Sequence, residues 1–405
     1  MTELPIRECT TDDIPAVHQL LQEVFLSPDP TDARREIYRA NYEPERCLVV
    51  TDEGAVIGHT GTFTRQLSVP GAVLAAAHVS QVGVRHTHRR QGVMSRLLRE
   101  QLAQLPEPIA VLWASEGPIY PRFGYAPATD QVSLTIRSRE VRLPEPSEPG
   151  RVANGTSADL LPELVGIYDA VRPHRPGWSS RDEAWWRRIV FDPPEERHGA
   201  TPLKTTVYRD PSGAATGYAL WRATPGWGQT GPDGTVTVKE VVATTPAAHL
   251  ALWRFLLSID LTRTVQLRLT GPSEPLLRLA DAPNQLGAVL GAGLYLRIVD
   301  LPAALAGRRY ATPVDLVIEV TDPIRAGNSG RWRLTGDTTG ARCEPTTDPA
   351  DLHSSIAALG AAYLGGVRVA DLAGAGLLTG HTHGAVAAAT AAFGWHRAPE
   401  GIEIF

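Results

Sequence analysis

At 405 residues, the chain is longer than one hydrophobic core usually organises, which predicts two or three domains. Hydrophobic residues make up 43% and charged residues 20%, with a formal net charge of -5, which excludes the disordered class. The sustained basic field that a nucleic-acid backbone requires is missing, so no nucleic-acid partner is expected. After Asp12 and Asp13, residues Ile14, Val17, Leu20, Leu21, Val24 and Phe25 recur at three- and four-residue spacing. This predicts an amphipathic first helix over 11–25 with acids at its positive end. Residues 47–50, 56–64 and 73–84 are rich in β-branched side chains and separated by Asp52-Glu53-Gly54 and Pro70-Gly71, which predicts an antiparallel meander. A basic loop, Arg85 to Gly92, then opens a helix whose face is Val93, Met94, Leu97, Leu98, Leu102 and Leu105, stopping at Pro106. Residues 109–113 form the next strand.

Pro144 to Gly150 reads as a linker. Beyond it the first pattern recurs: a helix near 160–171, strands at 205–209, 215–221 and 236–243, and a helix through Leu250, Trp253, Leu256 and Leu257. Thr244-Thr245-Pro246 stands where the first copy has its arginines and glycine, so the second copy is expected to lack an anion cradle. A third unit begins near Gly293 with a strand at 294–300 and a helix at 302–307. Strands follow at 314–320 and 331–334, and alanine-rich helical segments fill 356–388. The fold class is α+β (mixed α/β), with domains over 1–143, 151–290 and 291–405.

The chemistry concentrates in the first unit. A helix N-terminus exposes unpaired N–H groups and a partial positive charge, so a loop of arginines and glycine opening a helix suits a diphosphate. Gly92 lets oxygens approach the backbone. The preceding strand, Val82-Gly83-Val84, offers main-chain groups to an extended amide-bearing ligand such as pantetheine. An arginine-rich surface loop with no ligand is the competing reading.

The run Gln81-Val82-Gly83-Val84, then Arg89-Arg90-Gln91-Gly92, a helix, and Tyr120 with Phe123-Gly124-Tyr125 resembles the acetyl-coenzyme A signature of GNAT N-acetyltransferases. Ala114-Ser115-Glu116-Gly117-Pro118-Ile119-Tyr120-Pro121-Arg122 and the ending Gly401-Ile402-Glu403-Ile404-Phe405 further resemble the Eis acetyltransferases. The resemblance covers essentially the whole chain. It implies tandem GNAT-like domains followed by a sterol-carrier-like domain. It also implies acetyl-coenzyme A as co-substrate without a metal, aminoglycoside-type amines as acceptors and hence antibiotic resistance, and a homo-oligomer, specifically a hexamer. Residue by residue, Val82, Gly83 and Val84 would hold pantetheine and the acetyl carbonyl. Arg90, Gln91, Gly92, Val93, Met94 and Ser95 would hold the diphosphate, and Ser115 and Glu116 would line the cleft. Tyr120 would be the general acid and the α-carboxylate of Phe405 the general base. His86 departs from the proline that many GNAT loops carry.

Acetyl transfer needs a base for the ammonium, stabilisation of an oxyanion and an acid for the sulfur. The alternating Ile402-Glu403-Ile404-Phe405 predicts a docked terminal strand, with Ile402 and Ile404 desolvating the terminal carboxylate. Glu403 is either an acid for a cationic acceptor or a solvated surface residue. Protein lysines are a second acceptor class, and a lipid carrier is the non-enzymatic alternative.

The remaining motifs carry less. His86-x-His88 and His381-x-His383 lack acidic or thiolate partners and read as loop histidines. Gly374-Ala375-Gly376 followed by Gly380 misses the dinucleotide spacing. Trp185-Trp186-Arg187-Arg188 reads as a core edge with a solvated flank. Cys9, Cys47 and Cys343 fit neither a disulfide framework nor a zinc site. The opening residues lack the signal-peptide pattern and no apolar run is long enough to span a bilayer, so a cytoplasmic address with no membrane partner is expected.

Overall fold

The computed structural model describes residues 4–146 and 150–405. The expected meander forms from β2 (Leu48–Asp52), β3 (Ala55–Val69) and β4 (Ala72–Val84), and β1 (Ile6–Glu8), which the sequence reading did not anticipate, pairs antiparallel with β2 at the edge. α1 (Ile14–Phe25) packs on β3 and β4, with Val17 and Leu20 buried. A helix the sequence reading did not anticipate, α2 (Asp32–Ala40), follows, and its N-terminus is capped by the Thr31 hydroxyl accepting from the Arg34 amide. Its polar composition hides it from a hydrophobic-period search. α3 (Val93–Gln104) buries Val93, Leu97, Leu98 and Leu102, as the spacing predicts, with Gln101 buried besides and Met94 half-buried, and leads to β5 (Ile109–Leu112), parallel to β4.

The two large sheets exchange strands. β6 (Ala126–Pro127) closes one edge of the first sheet, but β7 (Asp130–Arg137) crosses to the second, where it lies between Val289–Ala292 and Thr262–Thr270. In return Tyr295–Ile298, expected to open the third unit, inserts between β5 and β6 of the first sheet. Every residue of that strand is buried. A strand buried on both faces belongs in the interior of a sheet, and a run with no polar face at Tyr295, Leu296 and Ile298 is its sequence trace. The rest of the second sheet runs Gly234–Ala243, Ala215–Thr224, Lys204–Arg209 and Arg151–Gly155.

The third unit is a five-stranded sheet built on Val314–Thr321, with helices at Leu301–Gly307, Ile356–Ala362, Val369–Gly374 and Ala385–Phe393. Ile356–Ala362 rests on the borrowed strand so closely that a Cβ at Gly360 would sit 3.1 Å from the Leu296 carbonyl oxygen. Arg297 of that strand is wholly buried and donates to Asp322 at 2.6 Å. Asp322 also accepts from Asn328 Nδ2 and from the amides of Ile324 and Arg325.

Residues 394–405 form neither helix nor strand. The expected terminal strand is therefore replaced by an irregular tail, which side chains rather than a ladder hold in place. Because removing one partner strands the other charge in the interior, Asp322→Asn should lower unfolding free energy by about 3 kcal/mol in urea denaturation, without loss of secondary structure at pH 7.

Candidate active site

β4 and β5 pair only from Ala76–Ile109 to His78–Val111, and then diverge. Past His78, the β5 side of β4 has no partner in β5, so Val82, Gly83 and Val84 lie along an open edge. On its other side β4 carries a bulge: Gly61 pairs with Ser80 and His59 with Gly83, leaving one extra residue in β4. Gln81 takes the strain, with φ of 55°. The extra residue shifts alternation, so Val82 joins Val79 in one apolar cluster instead of following Ser80 to the opposite face.

The bulge is held from below. His59 Nδ1 donates to the Gln81 carbonyl at 2.7 Å, and its Nε2 accepts from the Tyr42 hydroxyl at 2.9 Å. Burial pushes the His59 pKa down to about 4, so the ring is neutral with one fixed tautomer. Nothing in the sequence marked His59, because its partner lies in the next strand and the bulge that needs it is tertiary.

The helix start is as open as the strand edge. Gly92 is the N-cap of α3 with φ of 81°, no side chain caps that end, and a Cβ there would meet nothing within 4 Å. The first intrahelical bond is Arg96 N–H to the Gly92 carbonyl, which leaves the amides of Val93, Met94 and Ser95 without intrahelical acceptors. Arg90 and Gln91 are exposed beside them, Val93 is buried, and Met94 and Ser95 are half-buried. In the second copy the corresponding helix, Pro246–Ser258, begins with proline, and its Thr245 hydroxyl accepts from the Ala248 amide. That helix satisfies its own donors and offers no anion seat.

Ser115 and Glu116 are exposed just after β5, on the far wall of the wedge. Tyr120 is buried in the cluster of Val79 and Val82, with its ring edge-on to Tyr125. Burial, with Glu116 adding to it, pushes the Tyr120 pKa up to about 12. Phe405 lies on the opposite face of β4. Its carbonyl oxygen accepts from Ser80 Oγ at 2.9 Å and its ring stands edge-on to His78 at 4.6 Å. Burial, reinforced by Arg65, pushes His78 down to about 3, so this support is uncharged. The two expected catalytic groups therefore flank β4 from its two faces.

The tail reaches that position through a series of ties. The Glu400 amide donates to the Pro176 carbonyl at 3.0 Å, and the Ala398 amide to Ser273 Oγ at 3.1 Å. At residue 401 the chain passes so close to Trp113 that a Cβ would lie 2.7 Å from its ring, which only glycine allows. Glu403 is buried between Arg65 of β3 and Arg181, bonding Arg181 Nε at 2.6 Å. Arg181 in turn grips Glu240 through both terminal nitrogens at 3.0 and 2.8 Å, and Tyr218 donates to the same carboxylate at 2.8 Å. Neither sequence reading of Glu403 survives: it is neither a free pocket acid nor a surface residue. Ile404 is 57% exposed, so it does not desolvate the terminal carboxylate, while Ile402 packs against the second unit.

Of the other motifs, His88 bonds Asp52 at 3.1 Å and His86 approaches the Glu23 carbonyl at 3.3 Å, as loop histidines do. Trp185 and Trp186 are buried, Arg187 is exposed and Arg188 half-buried. Among the described residues no group of His, Cys, Asp and Glu is placed to hold a metal, and no helix is long and apolar enough to cross a membrane.

An open β4 edge beside an uncapped, glycine-led helix is the arrangement GNAT enzymes use for acetyl-coenzyme A. Family comparison agrees: the acetyltransferase (GNAT) domain matches residues 5–128 and again 177–298, and the sterol carrier protein domain matches 301–400. The chain is thus an N-acetyltransferase with two GNAT domains followed by a sterol-carrier-like domain. An N-acetyltransferase of Streptomyces avermitilis is 39% identical over 97% of this chain and 98% of its own. N-acetyltransferase Eis of Mycobacterium tuberculosis is 33% identical over 91% of each chain. The crystal structure of Eis1 from Mycobacterium abscessus superposes with a TM-score of 0.84 at 29% identity, covering 99% of this chain and 100% of that one. The chain belongs to the Eis-like N-acetyltransferases.

Two outcomes follow from this geometry. Gly92→Asp should weaken coenzyme A binding by about tenfold or more in calorimetry, because a carboxylate takes the anion seat. Thr245→Ala should leave that affinity unchanged while lowering stability by about 1 kcal/mol. The second outcome concerns pH. The two arginines hold the Glu403 carboxyl down to about 2, against an ordinary value of 4.5. Its stabilisation is therefore complete above about pH 4.5 and is lost as pH falls toward 2. Relative to Glu403→Gln, the wild type should lose about 3 kcal/mol across that window in denaturant titrations. Glu400, raised chiefly by burial, acts in the opposite sense and is common to both proteins.

Proposed function

We propose that this enzyme acetylates a primary amine of a small molecule, with the Phe405 α-carboxylate as general base and Tyr120 as general acid. Acetyl-coenzyme A, which GNAT enzymes use, supplies an activated acetyl thioester. Val82, Gly83 and Val84 hold its pantetheine and carbonyl along the free β4 edge. Arg90, Gln91, Gly92, Val93, Met94 and Ser95 hold its diphosphate, and Ser115 and Glu116 line the opposite wall. The carboxylate of Phe405 takes the proton that the acceptor nitrogen sheds. The Tyr120 phenol stays protonated at neutral pH and gives its proton to the departing sulfur. Placement compensates for a mismatched pKa, since a phenol pushed up to about 12 is a poor donor unless held against the leaving atom.

The single observation that carries this reading is the chain terminus itself. Phe405 is buried against β4 at Ser80, on the face opposite Tyr120, and contacts at Ala398, Glu400, Gly401 and Glu403 hold the tail that carries it there. The family resemblance implies aminoglycosides as acceptors and a hexameric, cytoplasmic enzyme, and those form one arm of the proposal. Protein lysines are the second acceptor class. The lipid-carrier alternative has the weaker support, because Arg308, Tyr310, Tyr363 and Phe393 lie wholly inside the third unit with their polar groups satisfied by backbone carbonyls or aromatic rings.

Tyr120→Phe, and separately a chain extended by one glycine past Phe405, should each keep the wild-type melting temperature. Each should lose about a hundredfold or more in kcat, with the KM for acetyl-coenzyme A little changed. Thiol release measured over an amine panel reads both. Near-normal turnover in the two variants would remove the proton route.

A further inference from the structure

Two cavities meet at the chain's end. One, of about 220 Å³, opens over Phe405 and is lined by His18, Tyr38, Ser80, Gln81 and Arg188 among others. The second, of about 300 Å³, lies behind the tail at Ile402, Glu403 and Ile404, and Arg188 lines it too. Arg188 therefore stands at the junction, between the proposed base and the deeper space.

The charges of the deeper wall pair off almost completely. Glu196 is held by Arg34, Asp192 by Arg222 and Arg197, Glu240 by Arg181, and Glu403 by Arg65 and Arg181. Every carboxylate on the wall thus has a guanidinium, and two cations are left over. Arg188 stacks on Trp185 at 4.8 Å and has no carboxylate partner among the described residues. Lys239 Nζ donates to the Ile189 carbonyl and likewise has no carboxylate partner among them. Over Phe405, no Asp or Glu side chain lines the first cavity among the described residues, and His18 is pushed toward its neutral form by burial with help from Arg39 and Arg35.

The geometry points to an acceptor that carries an anionic group as well as its amine: the amine faces the Phe405 carboxylate, and a carboxylate or phosphate on the same molecule is bound by Arg188 with Lys239. This rests on the acetyl-transfer reading and narrows its acceptor class. A partly desolvated guanidinium without a counter-charge costs energy that an anion repays, and the planar fork of Arg188 suits a carboxylate or phosphate. A polycation of the aminoglycoside kind meets Arg188 and Lys239 as like charges and finds no unpaired acid beyond the terminal carboxylate.

The test compares two linear molecules of similar length that differ in one end, with a polycationic aminoglycoside as the third ligand. The full-length protein, saturated with coenzyme A, is titrated calorimetrically with ω-aminohexanoate, hexamethylenediamine and kanamycin, and the same three are assayed for thiol release with acetyl-coenzyme A. The expected result is binding of ω-aminohexanoate at least about tenfold tighter than the diamine, a preference that falls to about one in Arg188→Gln and persists in Arg188→Lys. Equal or tighter binding of the diamine or of kanamycin by the wild type overturns the inference, as does a preference that survives both Arg188→Gln and Lys239→Met. Arg188-dependent binding of ω-aminohexanoate with no thiol released from any amine upholds the anion site and defeats the acetyl-transfer reading instead.

Discussion

Glu403 ties the tail to two pieces of chain, β3 and the segment around Arg181, that are already joined by backbone hydrogen bonds between residues 66–68 and 177–180. Arg65 comes from β3 of the first sheet, Arg181 precedes the helix of the second unit and is locked to Glu240 of the second sheet, and Glu403 sits on the tail of the third. A buried network of this kind adds little net stability, because desolvating the charges consumes most of what their attraction supplies. It does set position. A slip of the tail by one residue would put Ile402 or Ile404 between two guanidinium groups, leaving Arg65 without its carboxylate and Arg181 with Glu240 alone. The register of the last residues is therefore fixed electrostatically, and Phe405, two residues on, is delivered to Ser80 without a strand ladder. The arginines are themselves held in place, Arg65 by the Ser180 carbonyl and the Trp185 ring at 4.0 Å, and Arg181 by the Tyr168 ring at 4.0 Å.

The strand exchange explains why the three units form one enzyme. The first sheet lacks the strand between β5 and β6 until Tyr295–Ile298 returns from beyond the second unit, and the second sheet needs β7 from before the linker. β5 is therefore flanked by β4 on one side and by a strand from beyond the second unit on the other.

Elements governed by local periodicity could be read from the sequence. The meander, α1, α3 and the second-copy helix all announce themselves by apolar spacing, and Gly92 after a basic run marks an open helix start. Thr245-Pro246 likewise marks a capped one, so the closed helix start of the second copy could be anticipated from those residues. The illegible features depend on partners far apart in sequence. Glu403 lies 222 residues from Arg181, and the histidine that pins the bulge is recognisable only once β3 and β4 are paired. Tyr295–Ile298 reads as the start of a new domain because a mostly apolar run does not say which sheet will bury it, and the buried partner of Arg297, Asp322, lies 25 residues on. The tail looked like a strand because alternation was taken for pairing, whereas Glu403 points inward to arginines and Ile404 points out.

In the proposed mechanism the base is the α-carboxylate of Phe405, and that assignment has a physical consequence for everything upstream. A side-chain base is positioned by its own rotamer, but an α-carboxylate is positioned only by the path of the backbone that precedes it. That path must be as well determined as an active-site rotamer, which is why so much of the tail is spent on contacts with no chemistry: a glycine against Trp113, amides bonded to Ser273 and Pro176, and Glu403 between two arginines. The same clamps consume the carboxylates that would otherwise face the cavities behind the tail. With the tail's carboxylates paired off, Arg188 and Lys239 are the charges of the deeper wall without an ion pair among the described residues, and in the proposed reaction their field is the one an acceptor's far end meets.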